Sequence, residues 1–221
     1  MLGTLVLSLS VGVAAGSGGP GVAIPNGSTY DALINPAAAP APGWNTSSSF
    51  VETGWTLGAQ APFGHGMACA LNAGEQTDFP MGKTIYLRKS FALPANAFGL
   101  HVVGTVDNYA DVYVNGNNVQ GDVSSGNCQT GAIDFTVPNS KLVLGGANLA
   151  AVQASDDGST ASYFDMKATY GSIDFGRIRS TFQLWKNSWA TVSSIGSWLL
   201  RSDEADVMIV LFLCSMPSSS A

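Results

Sequence analysis

Charge is scarce in this chain of 221 residues: Asp, Glu, Lys and Arg make up 11% of it, where roughly 25% is usual in soluble domains. Only nine residues are basic, they are scattered, and the net charge is −6. Nucleic acid is therefore excluded as a partner, because phosphate binding needs clustered Lys and Arg that displace counterions, and an anionic membrane surface is disfavoured for the same reason. Histidine is rarer still. Neither His65, in Gly64-His65-Gly66, nor His101 has a Cys or carboxylate at metal-ligand spacing, and no serine stands in a Gly-x-Ser-x-Gly turn. A triad or a His-based metal centre needs convergent partners, so no catalytic residue is assigned and the chain is expected not to be an enzyme. A transmembrane span is not expected either, since the apolar run Val207 to Met216 is too short to cross a bilayer.

Cysteine is limited to three residues. Cys69 and Cys128 both lie in loop-like sequence, and a disulfide between them would close a long loop and add roughly 2–4 kcal/mol in an oxidising compartment. The alternative is a pair of free thiols in a cytosolic protein. Cys214, inside an apolar run, reads as a small hydrophobe. Leu2 to Ala15 is apolar and ends in Ala14-Ala15-Gly16-Ser17, so residues 1–17 resemble a secretory signal peptide, although no Lys or Arg precedes the run. A shifted gene start and a buried first strand are the competing readings. Residues 18–42 are rich in Gly, Pro and Ala and are expected to be a linker or an edge-hugging arm. Asn26-Gly-Ser and Asn45-Thr-Ser fit the glycosylation pattern. A surface made polar by hydroxyls and amides suits a secreted or cell-surface protein.

What the chain does have is alternation. Ile85, Leu87, Phe91 and Leu93 share one parity while Tyr86, Arg88 and Ser90 take the other, the period of a strand with one buried face. Leu100, Val102 and Val106 repeat it, and Val112 and Val114 repeat it again before Asn115-Gly116. Asn-Gly between short β-rich runs predicts a tight hairpin, since both central positions of a type I′ turn need positive φ. Ile133, Phe135 and Val137 form the next run, and Phe164, Met166, Ala168 and Tyr170 the last. Short strands separated by turn signals predict an all-β sandwich or barrel.

Several of these elements carry a family resemblance. Trp44 and Trp55 with Ala61-Pro62-Phe63-Gly64, the run Tyr86 to Pro94, the phrase Val106-Asp-Asn-Tyr-Ala-Asp-Val-Tyr-Val-Asn-Gly, and Gly145-Gly146-Ala147-Asn148-Leu149-Ala150 resemble the galactose-binding-like jelly-roll domains found beside glycoside hydrolases and in bacterial surface and phage tail proteins. The resemblance implies a jelly-roll β-sandwich of two antiparallel sheets over residues 43–171. It implies no particular ligand, because the binding loops of such domains vary freely.

Candidate ligand chemistry gathers near the hairpin. Sugar recognition needs an exposed aromatic face with amides and carboxylates placed for hydroxyls, and Trp44, Trp55, Tyr109 and Tyr113 are the aromatic candidates. Tyr109, Tyr113, Asn108 and Asn117 are the expected rim, with Trp55 expected to plug the sandwich end; ordinary cross-strand packing of the two tyrosines is the competing reading. Asp107, Asp111 and Asp122 flank the hairpin and Asp156-Asp157-Gly158 forms a turn, so a structural Ca²⁺ held by Asp107, Asp111 and Asp122 is the one cofactor candidate, as the resemblance also suggests. Turn formation by the same Asp and Asn residues, which alone explains both groups, is the competing reading.

Composition shifts near Ser172. Ile178, Phe182, Trp185, Trp189, Val192, Ile195 and Leu199 recur at helical spacing, so an amphipathic helix is expected over 176–200 within an atypical tail, 172–221. That tail would dock on the sandwich or an oligomer partner, lie in a membrane interface, or be non-native sequence. The functional expectation is a non-catalytic extracellular module binding carbohydrate or a neighbouring protein domain. The alternatives are a structural subunit of a surface layer, filament or phage tail, and an accessory domain of a glycoside hydrolase.

Overall fold

The computed structural model describes residues 17–46, 48–66, 74–125, 129–158, 160–173, 195–201 and 208–214, with residues 17–19, Asp122 and the last two segments described through their backbone alone. Residues Ser17–Asp174 form one compact unit. It contains β1 (Ser17–Ile24), β2 (Thr29–Ile34), β3 (Thr56–Gln60), β4 (Phe63–His65), β5 (Thr77–Asp78), β6 (Thr84–Ala92), β7 (Ala97–Val114), β8 (Asn117–Ser125), β9 (Ile133–Thr136), β10 (Ala147–Ser155) and β11 (Ser162–Ile173), with a single 3₁₀ turn at Asn139–Lys141. No α-helix occurs among the described residues.

The strands make two sheets that share β7. Residues 97–107 of β7 pair with β11, and β9 flanks them on the other side; β1 and β4 line the far side of β11, and β5 closes that sheet. Residues 109–114 of β7 pair with β10, and the second sheet runs β3, β2, β6, β10, β7, β8. All pairings are antiparallel except the short β4–β5 contact. Placing β2 beside β6 and β6 beside β10 requires the long crossovers of a jelly roll, as the resemblance implies.

The expected alternation decides which face is buried. Leu100, Val102, Val106, Ala110, Val112 and Val114 are all buried, so the even-numbered residues of β7 face inward from Leu100 onward, through both sheets, whereas at its start Ala97 is buried and Phe98 exposed. They pack with Ile85 and Leu87 of β6, Val152 of β10, and Phe164 and Met166 of β11 in one apolar cluster. Tyr30 sits at its centre, edge-on to Phe63 at 5.9 Å and to Phe164 at 6.5 Å. Each such fully buried large side chain contributes about 1.5–3 kcal/mol from desolvation alone. The hairpin is as expected: Asn115 and Gly116 have φ of 49° and 79°, and Val114 pairs with Asn117 across a two-residue loop.

Two expectations are corrected. Residues 18–42 contain β1 and β2, and β2 lies inside the second sheet, so the sandwich begins at Ser17 and not at 43. Its short alternation Tyr30, Ala32, Ile34 is masked by the Gly and Pro around it. The helix expected over 176–200 is also overturned where it is described: Ile195–Arg201 is a strand, β12, paired antiparallel with β13 (Met208–Cys214), with Ile195 opposite Cys214. A continuous apolar run rich in Ile, Val, Leu and Phe supplies a β partner, and Gly196 is a poor helix former. Trp185 and Trp189 lie outside the described residues, as do Cys69 and Cys128 with their expected disulfide.

Candidate ligand site on the outer face of the second sheet

The outer face of the second sheet is built by the parity opposite to the core. Tyr86 and Arg88 of β6, Ala151, Gln153 and Ser155 of β10, and Tyr109, Asp111 and Tyr113 of β7 all belong to it. Register fixes their neighbours: Gln153 stands between Tyr86 and Asp111, Ala151 between Arg88 and Tyr113, and Ser155 opposite Tyr109.

One end of this face is roofed. The segment between β2 and β3 lays Trp44 edge-on over Tyr86 at 5.1 Å and Tyr113 at 5.8 Å, with Trp55 tilted against Trp44 at 6.5 Å and Phe50 edge-on to Trp55 at 6.0 Å. Arg88, only 4% exposed, pairs with Glu52 of the same segment and lies 5.2 Å from the centre of the Phe50 ring. Burial pulls the Arg88 guanidinium below its ordinary value, and the Asp31 charge opposes that shift. Burial raises both tyrosines: Tyr86 by this effect, and Tyr113 by burial first and the Asp111 charge second, against a hydrogen bond with Asn118. Trp55 thus belongs to this roof and does not plug the end of the sandwich.

The other end is open. Tyr109, Ala110, Asp111, Gln153 and Ser155 line a half-open depression of about 210 Å³. Tyr109 is 45% exposed, so a phenol ring, a carboxylate, a primary amide and a hydroxyl share one small concavity.

The expected rim is therefore only partly assembled. Tyr109 is exposed as expected, whereas Tyr113 is half covered by Trp44. Asn108 is buried: its amide donates to Asp107 Oδ1 at 2.7 Å and its Oδ1 accepts the Asp157 N–H at 2.8 Å, so it braces the point where β7 changes sheets. Asn117 serves the hairpin, donating to the carbonyls of Val114 and Asn115 and accepting from Lys141 Nζ at 2.9 Å. Gln153 and Ser155 went unread because nothing in Ala-Val-Gln-Ala-Ser marks them; strand pairing alone puts them beside Tyr109.

Of the expected calcium set, Asp107 and Asp111 are described with their side chains and Asp122 through its backbone alone. Among the described residues no three His, Cys, Asp or Glu side chains stand together as metal ligands. Asp111 lies on the outer face, Asp122 falls in β8, and Asp107 is buried near Asp156 and Asp157. Asp156 Oδ2 accepts the N–H groups of Gly82 at 2.5 Å and Gly158 at 2.9 Å, the turn chemistry named as the alternative. The two histidines have acquired carboxylate partners from distant sequence: His65 Nδ1 lies 2.7 Å from Asp78 and His101 Nε2 2.7 Å from Asp134, both pairs solvent-exposed.

Burial, then the charges of Asp156 and Asp157, raise the Asp107 carboxyl above its ordinary range. A raised folded-state pKa means that the fold binds this proton more tightly than the unfolded chain, so the site's stabilising contribution is complete below the ordinary carboxylate range and is lost as pH rises through the raised value. Urea denaturation of the Asp107→Asn variant should show its advantage over the parent at pH 7 and a shrinking difference towards pH 4. A constant difference across that window would refute the assignment.

No protein-family model matches the chain, and no curated protein matches it. Solved structures do show a likeness. A calcium-binding mutant of Bacteroides uniformis β-glucuronidase 2 aligns at 17% identity and TM-score 0.43 over 68% of this chain and 18% of its own. A glycosyl hydrolase family 2 member from Bacteroides cellulosilyticus aligns at 18% identity and TM-score 0.40, covering 64% and 20%. A β-glucuronidase from an uncultured Clostridium species aligns at 11% identity and TM-score 0.40, covering 90% and 34%. The chain thus spans between about a fifth and a third of the length of these neighbours. Among the described residues no helix is long and apolar enough to cross a membrane.

Proposed function

We propose that the unit Ser17–Asp174 is a non-catalytic, galactose-binding-like module of a secreted or cell-surface protein and that it binds carbohydrate in the depression beside Tyr109. The observation that carries this reading is the grouping of a half-exposed phenol ring with Asp111, Gln153 and Ser155 in one concavity. A sugar ring has an apolar face that stacks on an aromatic side chain and a rim of hydroxyls that donate to carboxylates and exchange hydrogen bonds with amides. The low charge and hydroxyl-rich composition support an extracellular setting.

A second reading is favoured by one feature of the roof. Val51 and Leu57 are 78% and 68% exposed on either side of Trp55, and β3 has β2 as its sheet neighbour and lies at the sheet's edge. An apolar edge of this kind suits packing against a neighbouring protein domain, as in an accessory domain of a glycoside hydrolase.

A glycan array and titration calorimetry on the full chain test the first reading. Tyr109→Ala should weaken binding at least about tenfold, the loss of one stacked aromatic contact. Val51→Ser should leave it unchanged. If no glycan binds, or if Tyr109→Ala binds as well as the parent, the carbohydrate reading gives way to the domain-packing one.

A further inference from the structure

We infer that Asn115-Gly116 is a site of spontaneous backbone modification which the fold itself holds in check, with Asn148 as the guard and opening of this corner as the trigger.

The dipeptide supplies the chemistry. Asparagine followed by glycine closes a five-membered ring when the backbone nitrogen of Gly116, its proton removed by hydroxide, attacks Cγ of Asn115 and Nδ2 leaves as ammonia. Water then opens the ring at one carbonyl or the other, giving aspartate or isoaspartate at position 115. The net change consumes one water and releases one ammonia, and nothing is oxidised or reduced. Glycine favours the first step because no side chain shields its nitrogen. Residues 115 and 116 are half-buried, so solvent reaches both.

The structure supplies the brake. Asn115 Nδ2 donates to the Lys141 carbonyl at 2.9 Å and to Asn148 Oδ1 at 2.8 Å, and its Oδ1 accepts the Leu149 N–H at 2.9 Å. Asn148 is fixed in turn, because its amide group bonds both the N–H and the carbonyl of Val143. Ring closure needs Cγ turned onto the Gly116 nitrogen, and it expels the atom that makes two of the three bonds. The carboxamide must therefore leave its partners before it reacts. The folded rate is then the unfolded rate multiplied by the population of the open corner.

The outcome is a permanent record of opening. An acid at position 115 has no N–H to donate, so the Lys141 carbonyl and Asn148 Oδ1 would each meet another oxygen. Isoaspartate also lengthens the backbone by one methylene inside a two-residue loop whose flanks, Val114 and Asn117, are paired. Gly116 has no room to take up the extra length, since even a methyl built on it would overlap the Thr46 side chain. Thr46 lies two residues from Trp44, so a distorted hairpin tip also disturbs its contact with the roof.

The test incubates the full chain at mildly alkaline pH, folded and in urea, and follows Asn115 and Asn26 by peptide mass mapping and isoaspartate-specific methylation. Asn26-Gly27 is the internal reference for unfolding of the whole unit: it lies at the β1–β2 turn, where the Gly27 N–H is bonded to the Asp165 carboxylate. Folded Asn115 should react at least about tenfold more slowly than Asn115 in urea. Asn148→Ala should speed the folded reaction at Asn115 about tenfold and leave Asn26 slow. Reaction of Asn115 in the folded parent at its urea rate overturns the inference. An unchanged Asn115 rate in the folded variant, or a rise of both sites together, overturns it too. Should the variant not fold, hydrogen exchange in the parent decides, because the Leu149 N–H is held by Asn115 Oδ1 and should be protected by about the factor that slows Asn115. A protected Leu149 N–H beside a freely reacting Asn115 would refute the guard.

Discussion

Replacing Asn148 by Ala is expected to cost the sandwich about 2–4 kcal/mol, a fall in melting temperature on the order of 5–12 °C for a chain of this size. Asn148 is 3% exposed and sits where the turn before β10 meets the β7–β8 hairpin. Its Oδ1 accepts the Val143 N–H at 2.8 Å and the Asn115 side-chain amide at 2.8 Å, while its own amide donates to the Val143 carbonyl at 3.0 Å. Asn115 continues the bridge, donating to the Lys141 carbonyl at 2.9 Å and accepting the Leu149 N–H at 2.9 Å. Truncation to Ala leaves several of these groups without partners in a partly buried site, and an unmet buried donor or acceptor costs more than the bond it lost contributed. Asn117→Ala is the comparison. It removes one long contact pair and an exposed link to Lys141, so it should cost under about 1 kcal/mol. Urea denaturation of the three proteins decides the matter, and equal stability of the two variants would show that the Asn115–Asn148 bridge contributes nothing.

This bridge explains why the fold was legible from short phrases. Asn115-Gly116 and Gly145-Gly146-Ala147-Asn148-Leu149 belong to two of the phrases that carried the family resemblance, and in the structure they bond to each other. They identify a fold because they brace it, which is also why they say nothing about a ligand. The alternation that predicted β6, β7 and β11 was legible for a similar reason: period two survives wherever one face is buried. It failed at Tyr86 and Arg88. Both were read as outward and polar, and both are outward yet buried, because the segment carrying Trp44, Glu52 and Trp55 folds back over them. No local pattern announces a loop that covers a sheet.

The candidate site was half legible for the same physical reason. Tyr109 follows from the parity of its own strand. Gln153 and Ser155 follow only from the pairing of β10 with β7, a contact across more than forty residues that a one-dimensional pattern does not contain. Asn108 was misplaced because β7 passes from one sheet to the other at that point, and its polar side chain closes the junction with Asp107 and Asp157. A Gly-rich surrounding hid β2 despite its fully buried Tyr30, since composition averages over the few residues that do the packing.

The roof itself gives the second large effect. Glu52→Ala is expected to cost about 3 kcal/mol, because it leaves the guanidinium of Arg88 under Phe50 without the carboxylate that Glu52 supplies. The figure sits at the lower end of the range for broken buried pairs, since Glu52 retains 18% exposure and Asp31 still contributes an opposite charge. Arg88→Met alone should also be costly, through the stranded carboxylate and the lost contact with the ring. Made together, however, Glu52→Ala and Arg88→Met remove both charges and keep an apolar stem against Phe50, and the double variant should recover most of the stability lost by either single change. Chemical denaturation followed by tryptophan fluorescence reads this directly, because Trp44 and Trp55 are themselves the roof. A coupling of at least about 1.5 kcal/mol between the two positions is the expected result. Simple additivity would mean that the aromatic packing of Trp44 on Tyr86 and Tyr113 holds the segment down unaided and that the ion pair is incidental to it.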